Sequence, residues 1–173
     1  MRQPLVRFVP VTLALILATT SLAAQQGQAP PTCAGPEYRQ FDFWVGEWDV
    51  TVSGKPAGTN RITSEEDGCL IHEHWAGQGG GTGQSLNFYD RADRQWHQVW
   101  VDSGGNALHL SGTREGNQLR LTGMAPGPDG KPARQRLTFT ANADGSVRQL
   151  WESSADGGTW TVVFDGLYRR RGA

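Results

Sequence analysis

Residues 83–102 read Gly83-Gln-Ser-Leu-Asn-Phe-Tyr-Asp90, then Arg91-Ala-Asp-Arg94, then Gln95-Trp-His-Gln-Val-Trp-Val-Asp102. In the first segment Ser85, Asn87 and Tyr89 alternate with Leu86, Phe88 and Asp90. In the last, Trp96, Gln98, Trp100 and Asp102 alternate with His97, Val99 and Val101. A period of two is the signature of a β-strand, and a polar four-residue link between two such runs is a hairpin. The pattern recurs in both directions. Segments rich in Val, Thr, Leu, Phe, Tyr and Trp predict strands at about 47–53, 58–66, 69–76, 83–90, 95–102, 106–114, 118–124, 134–141, 146–154 and 159–169. Asp67-Gly68, Asp129-Gly130, Asp144-Gly145 and Asp156-Gly157 punctuate them with the dipeptide favoured in positive-φ turns. Residues 77–83 form a glycine-rich loop, and 125–132, with three prolines, is a turn no strand crosses. Pro36 to about Trp44 reads as one short N-terminal helix.

About ten sequential hairpin-linked strands predict an all-β fold. An open sheet of that size exposes edges that aggregate, and closure removes them. A single antiparallel up-and-down β-barrel is the simplest closed form. A sandwich is the alternative, though its Greek-key crossovers need longer links than most of those found here.

Composition agrees. Of 173 residues, 23 are glycine, about twice the usual share. Sixteen basic residues face seventeen acidic ones, without the basic excess of a nucleic-acid binder. Residues 1–23 read as a secretory signal peptide: Arg2 and Arg7 precede a ten-residue apolar run, Phe8 to Leu17, and small residues stand at Ser21 and Ala23. A buried N-terminal helix is the alternative. The run is too short to cross a membrane, which takes about 20 apolar residues, and no later stretch qualifies. The expected organisation is signal peptide 1–23, loose leader 24–35 and barrel domain 36–171, secreted or periplasmic. In an oxidising compartment Cys33 and Cys69, the only cysteines, form a disulfide; two free buried thiols are the alternative.

Alternation also proposes a cavity wall. Glu73/Trp75, Asn87/Tyr89, Trp96/Gln98/Trp100 and Gln149/Trp151 each combine aromatic surface with an orienting polar group, as ligand pockets do. These sets are expected to face inward and hold a small amphipathic or aromatic molecule. A barrel filled by its tryptophans is the competing arrangement. His72 and His74 share the opposite face, and with His97 they form a minor candidate metal set; the expectation is no metal.

Gly46-Glu47-Trp48 opens the first strand and Tyr168-Arg169-Arg170 ends the last. This resembles the calycin pattern of lipocalins, in which Gly-x-Trp closes one end of the barrel and a basic residue from the last strand, here assigned to Arg169, lies over the indole. The run 41–48 with Gly68-Cys69, residues 83–90 and 96–102, Asp156 to Trp160 and Tyr168-Arg169 is similar to exported bacterial proteins carrying a lipocalin-like domain of unknown function, over about residues 33–171. The resemblance implies the barrel and transfers no activity. In strand number it extends to nitrobindin-like and fatty-acid-binding-protein-like barrels. Nitrobindin-type haem binding uses a histidine late in the chain; the last one here is His109, so no cofactor is expected.

Catalytic signatures are missing from the sequence. Gly83-Gln-Ser85-Leu-Asn87 lacks the second glycine of a nucleophile elbow, and there is no phosphate loop, dinucleotide fingerprint or His-Glu-x-x-His. Ligand binding is the expected function. A cavity-based isomerase or cyclase is one alternative, for which a titratable group with a strongly shifted pKa inside the cavity would speak. A carbohydrate or protein interaction module with a filled barrel and exposed tryptophans is the other.

Overall fold

The computed structural model describes residues 33–127 and 129–172; the signal peptide predicted at 1–23 and leader residues 24–32 lie outside the described residues. Ten strands follow one another: β1 (Gly46–Val52), β2 (Lys55–Glu65), β3 (Leu70–Gly77), β4 (Thr82–Asp90), β5 (Gln95–Asp102), β6 (Ala107–Glu115), β7 (Gln118–Pro126), β8 (Pro132–Ala141), β9 (Val147–Ser154) and β10 (Thr161–Arg170). Each pairs antiparallel with the next, and β10 returns to β1, closing an up-and-down barrel. All-β class, strand number and connectivity are as the alternation predicts. The first hairpin is tighter than expected. Ser53 (φ 49°) and Gly54 (φ 75°) make a two-residue turn with Val52 opposite Lys55, so β2 starts at residue 55 rather than 58. Two positive-φ residues are the mark of the turn whose twist matches flanking strands.

The predicted helix at 36–44 is two 3₁₀ turns, Pro36–Arg39 and Asp42–Trp44, broken at Gln40-Phe41. The pair lies across one end of the barrel and fills it. Phe41 stacks on Trp44 (centroids 4.8 Å apart) and meets Phe139 and Trp96 edge-on, while Trp48 donates its indole N–H to the Trp44 carbonyl (2.8 Å). With Leu119, Leu121, Val147 and Ile71 these rings form the main core. A Cys33–Cys69 disulfide ties the segment to the start of β3. Arg39 reinforces it by donating to the Gly68 carbonyl (2.5 Å) and the Cys33 carbonyl (3.3 Å).

The guanidinium over Trp48 belongs to Arg170, 4.6 Å from the ring centroid, and not to Arg169. Arg169 lies on the outer face, 3.8 Å from Asp144. Parity is the reason: Tyr168 points inward, so Arg170, two residues on, shares its side of the strand and Arg169 takes the other. The glycine of Gly-x-Trp also has a physical role. Gly46 sits at φ 146°, and a Cβ there would lie 2.3 Å from Arg170 Nη1. Thermal denaturation of single variants is expected to show Arg170→Ala losing about 1 kcal/mol, the worth of an exposed cation–π contact, and Arg169→Ala changing by less than roughly 0.5 kcal/mol, as a surface ion pair does.

Candidate functional site

The 3₁₀ turns occupy one end of the barrel, so empty space collects at the other. A cavity of about 250 Å³ opens there between the C-terminal half of β3 and β5 and the facing parts of β6, β8, β9 and β10. Its walls are Trp75, Trp100, Trp151, Phe164, Leu108, Leu137 and Val163; Glu73, Gln98, Gln149 and Tyr168 are the polar groups on its lining. The rings are fixed from behind. Trp151 donates its indole N–H to Gln135 Oε1 (2.8 Å), and Trp75 meets Phe164 edge-on at 6.0 Å. Two glycines make room for them. A Cβ at Gly83 would stand 2.2 Å from the Trp100 ring, and one at Gly58 would stand 2.7 Å from the Trp75 ring.

The floor is a continuous hydrogen-bond network. Asn60 Nδ2 donates to Glu73 Oε1 (2.7 Å) and the Ser85 hydroxyl donates to Glu73 Oε2 (2.6 Å). Ser85 in turn accepts from Asn87 (2.8 Å), and Gln98 Nε2 donates to Asn87 Oδ1 (2.9 Å). On the other side the Tyr168 hydroxyl donates to Gln149 Oε1 and lies 3.5 Å from Asn60 Nδ2. Glu73 has 3% of its surface exposed and no cationic partner among the described residues. Burial pushes its carboxyl up to about 7, against the opposing effect of the Ser85 and Asn60 bonds. Burial likewise holds the Tyr168 hydroxyl well above its ordinary value, with the neighbouring Glu73 adding to it. At the rim, Asp102 behaves oppositely. Burial is the largest single effect on its carboxyl and raises it, but hydrogen bonds from Asn106, the Gly104 N–H and Trp100 together outweigh it and hold the group below the usual carboxylate range.

Of the nine residues predicted for the wall, Glu73, Trp75, Gln98, Trp100, Gln149 and Trp151 meet at this cavity. Asn87, Tyr89 and Trp96 do not line it. They have the inward parity but lie toward the plugged end, where Trp96 donates to Gln40 Oε1 (3.2 Å), Tyr89 meets Tyr38 edge-on, and Asn87 supports Gln98 from below. The wall also contains Leu108, Leu137, Val163, Phe164 and Tyr168, which the sequence reading did not single out. Val163 and Phe164 are adjacent yet both reach the cavity, because the β9–β10 register shifts between Val162 and Phe164.

The histidines do not converge as a trio. His72 and His74 stand side by side on the outer face with Glu65, their potential ligand atoms within 4.8 Å of one another, while His97 groups with Asp90 and Asp93 instead. Trp160, unassigned from sequence, lies outside under Arg136, whose guanidinium is 4.0 Å from its centroid. No protein-family model matches this chain, and no curated protein matches it.

Proposed function

We propose that this is an exported binding protein of calycin-like type, which holds a small amphipathic or aromatic molecule in the cavity framed by Trp75, Trp100, Trp151 and Phe164. The observation that carries this reading is the division of the barrel. Aromatic side chains pack one end solid, whereas at the other they stand around empty space with a hydrogen-bonded polar floor. Apolar walls with a few fixed polar groups are the usual construction of a small-molecule site. At about 250 Å³ the space suits a ligand below drug size. Export is supported by the predicted signal peptide and by the Cys33–Cys69 bridge, which persists in oxidising compartments. The exposed-tryptophan platform of an interaction module has little support, since Trp44, Trp48 and Trp96 are core residues and Trp75, Trp100 and Trp151 wall the cavity.

Native mass spectrometry of mature protein from the periplasm or medium is expected to show a co-purifying small molecule. Titration of the identified compound is expected to give about a tenfold or larger loss of affinity for Trp151→Ala, the scale of one buried aromatic contact. Trp160→Ala, outside the cavity, is expected to bind normally. Equal affinity in all three proteins removes the cavity reading.

One observation favours a second reading. A buried carboxyl near 7, facing a cavity, is poised for proton transfer in an isomerase or cyclase. Turnover of the co-purifying compound, abolished in Glu73→Gln, would make the protein an enzyme; binding without turnover leaves it a carrier.

A further inference from the structure

Resting on the cavity reading above, we propose that the ligand is a small organic cation: a primary or secondary ammonium on an aromatic or alicyclic body, with its N–H groups on Glu73 and Gln98 and its body between Trp75, Trp100 and Trp151. The first argument is hydrogen-bond direction. Gln98 spends its Nε2 on Asn87 Oδ1 (2.9 Å) and Ser85 Oγ (3.5 Å), so what it offers the cavity is a carbonyl oxygen. Glu73 offers carboxylate oxygens. Asn60, bonded to that carboxylate, keeps its own carbonyl oxygen buried and without a donor. Gln149 gives its carbonyl to Tyr168 and leaves only its amide N–H₂ as a donor. The floor is rich in acceptors and poor in donors, the complement of an ammonium.

The second argument is charge. A buried carboxylate without a counter-ion is costly, and a bound cation removes that cost. The groups facing Glu73 are Asn60 from β2, Ser85 from β4, Gln98 from β5, Gln149 from β9 and Tyr168 from β10. Of these only Tyr168 titrates, and it is neutral until well above pH 10. On β3 itself, His72 faces outward and exerts the only other charge effect, a small one that lowers the Glu73 carboxyl. The walls add to the same preference, because indole and phenyl faces attract cations and attract them more when desolvated.

The linkage has a definite sign. With the carboxyl near 7, an ammonium binds the ionised form and displaces a proton from the fraction still protonated. Affinity for a cation therefore rises from pH 5.5 to pH 8, and an alkylammonium stays charged to about pH 10, as lysine does. A neutral ligand shows no such rise.

The test uses an isosteric pair, phenethylamine and 2-phenylethanol, titrated by calorimetry into the mature disulfide-bonded protein at pH 5.5, 7 and 8. The amine is expected to bind at least ~10-fold more tightly than the alcohol at pH 8, with the ratio shrinking at pH 5.5. Proton release is expected at pH 7, read from the dependence of the heat on buffer ionisation enthalpy. That reading needs no variant, so it stands even where a substitution disturbs folding. Glu73→Gln is expected to bring the amine-to-alcohol ratio at pH 8 to within about threefold. An alcohol that binds as tightly as the amine at pH 8, or amine binding without proton release, overturns the cation assignment while leaving the cavity reading in place. Failure of both compounds to bind at millimolar concentration overturns the assignment; if the co-purifying molecule is then also absent, the cavity reading falls with it.

Discussion

Relative to Glu73→Gln, the wild-type protein loses about 2–3 kcal/mol of unfolding free energy between pH 5 and pH 8. The carboxyl sits near 7 in the folded chain and near 4.5 when exposed, because burial disfavours its charged form. Between those values the folded state holds a proton that the unfolded state has released. Stability from this group is therefore complete below about pH 4.5 and is lost as pH rises through 7. His74 acts in the opposite direction: burial first, and His72 second, hold it below its ordinary value, so its contribution is lost as pH falls. It is common to both proteins and cancels in the difference. The lowered carboxylates Glu65, Asp102, Asp144, Asp156 and Asp165 act below about pH 4.5 and are likewise common to both proteins. An amide at position 73 can accept from Ser85 and, after rotation of the Asn60 amide, donate to the Asn60 oxygen that has no partner. Urea denaturation at pH 5, 6, 7 and 8 checks the prediction. Parallel pH curves for the two proteins would mean that Glu73 is ionised throughout and that its burial is compensated in some other way.

Reduction of Cys33–Cys69 is expected to cost roughly 3–4 kcal/mol, the chain-entropy value for a loop closed across a sequence separation of 36. The midpoint falls by roughly 10 °C for a domain of this size. The bridge restrains the segment that carries Tyr38, Phe41 and Trp44 into the plugged end, so its loss also loosens the core it delivers. Thermal unfolding with and without reductant, and of the Cys33→Ser/Cys69→Ser double variant, measures the effect. A loss below about 1 kcal/mol would show that ring packing and the Arg39 bonds hold the segment unaided.

Much of this is legible in the sequence alone, and what is not is hidden for reasons that differ from residue to residue. Alternation names the face of a strand but not the height along the barrel. Trp96 and Trp100 have the same parity, yet one is core beside Phe41 and the other walls the cavity. What sets the height is where the 3₁₀ segment inserts, a tertiary fact with no local signature. Phe164 was hidden differently, because the shifted register beside it breaks the period on which parity depends. Arg170, by contrast, was readable. Had Tyr168 been assigned inward, the residue two further on was bound to share its side. The Glu73 carboxyl presents a third kind of limit: its facing follows from the period, but its proton follows from the depth of its burial, which the period does not give.

The seam between β1 and β10 joins Trp48 to Arg170, so the first and last strands of the domain are neighbours. Every other strand pair forms from adjacent stretches of chain; this one waits for the whole of it. A chain ending before residue 161 would keep nine strands but leave the flanks of β1 and β9 unpaired, two long templates for joining other chains. It would also lose Tyr168 from the cavity floor and the guanidinium from Trp48. The barrel is thus an all-or-nothing object along its sequence. Its last ten residues finish the wall, the floor and the plug at once, and until they arrive the protein is an open sheet with two adhesive margins.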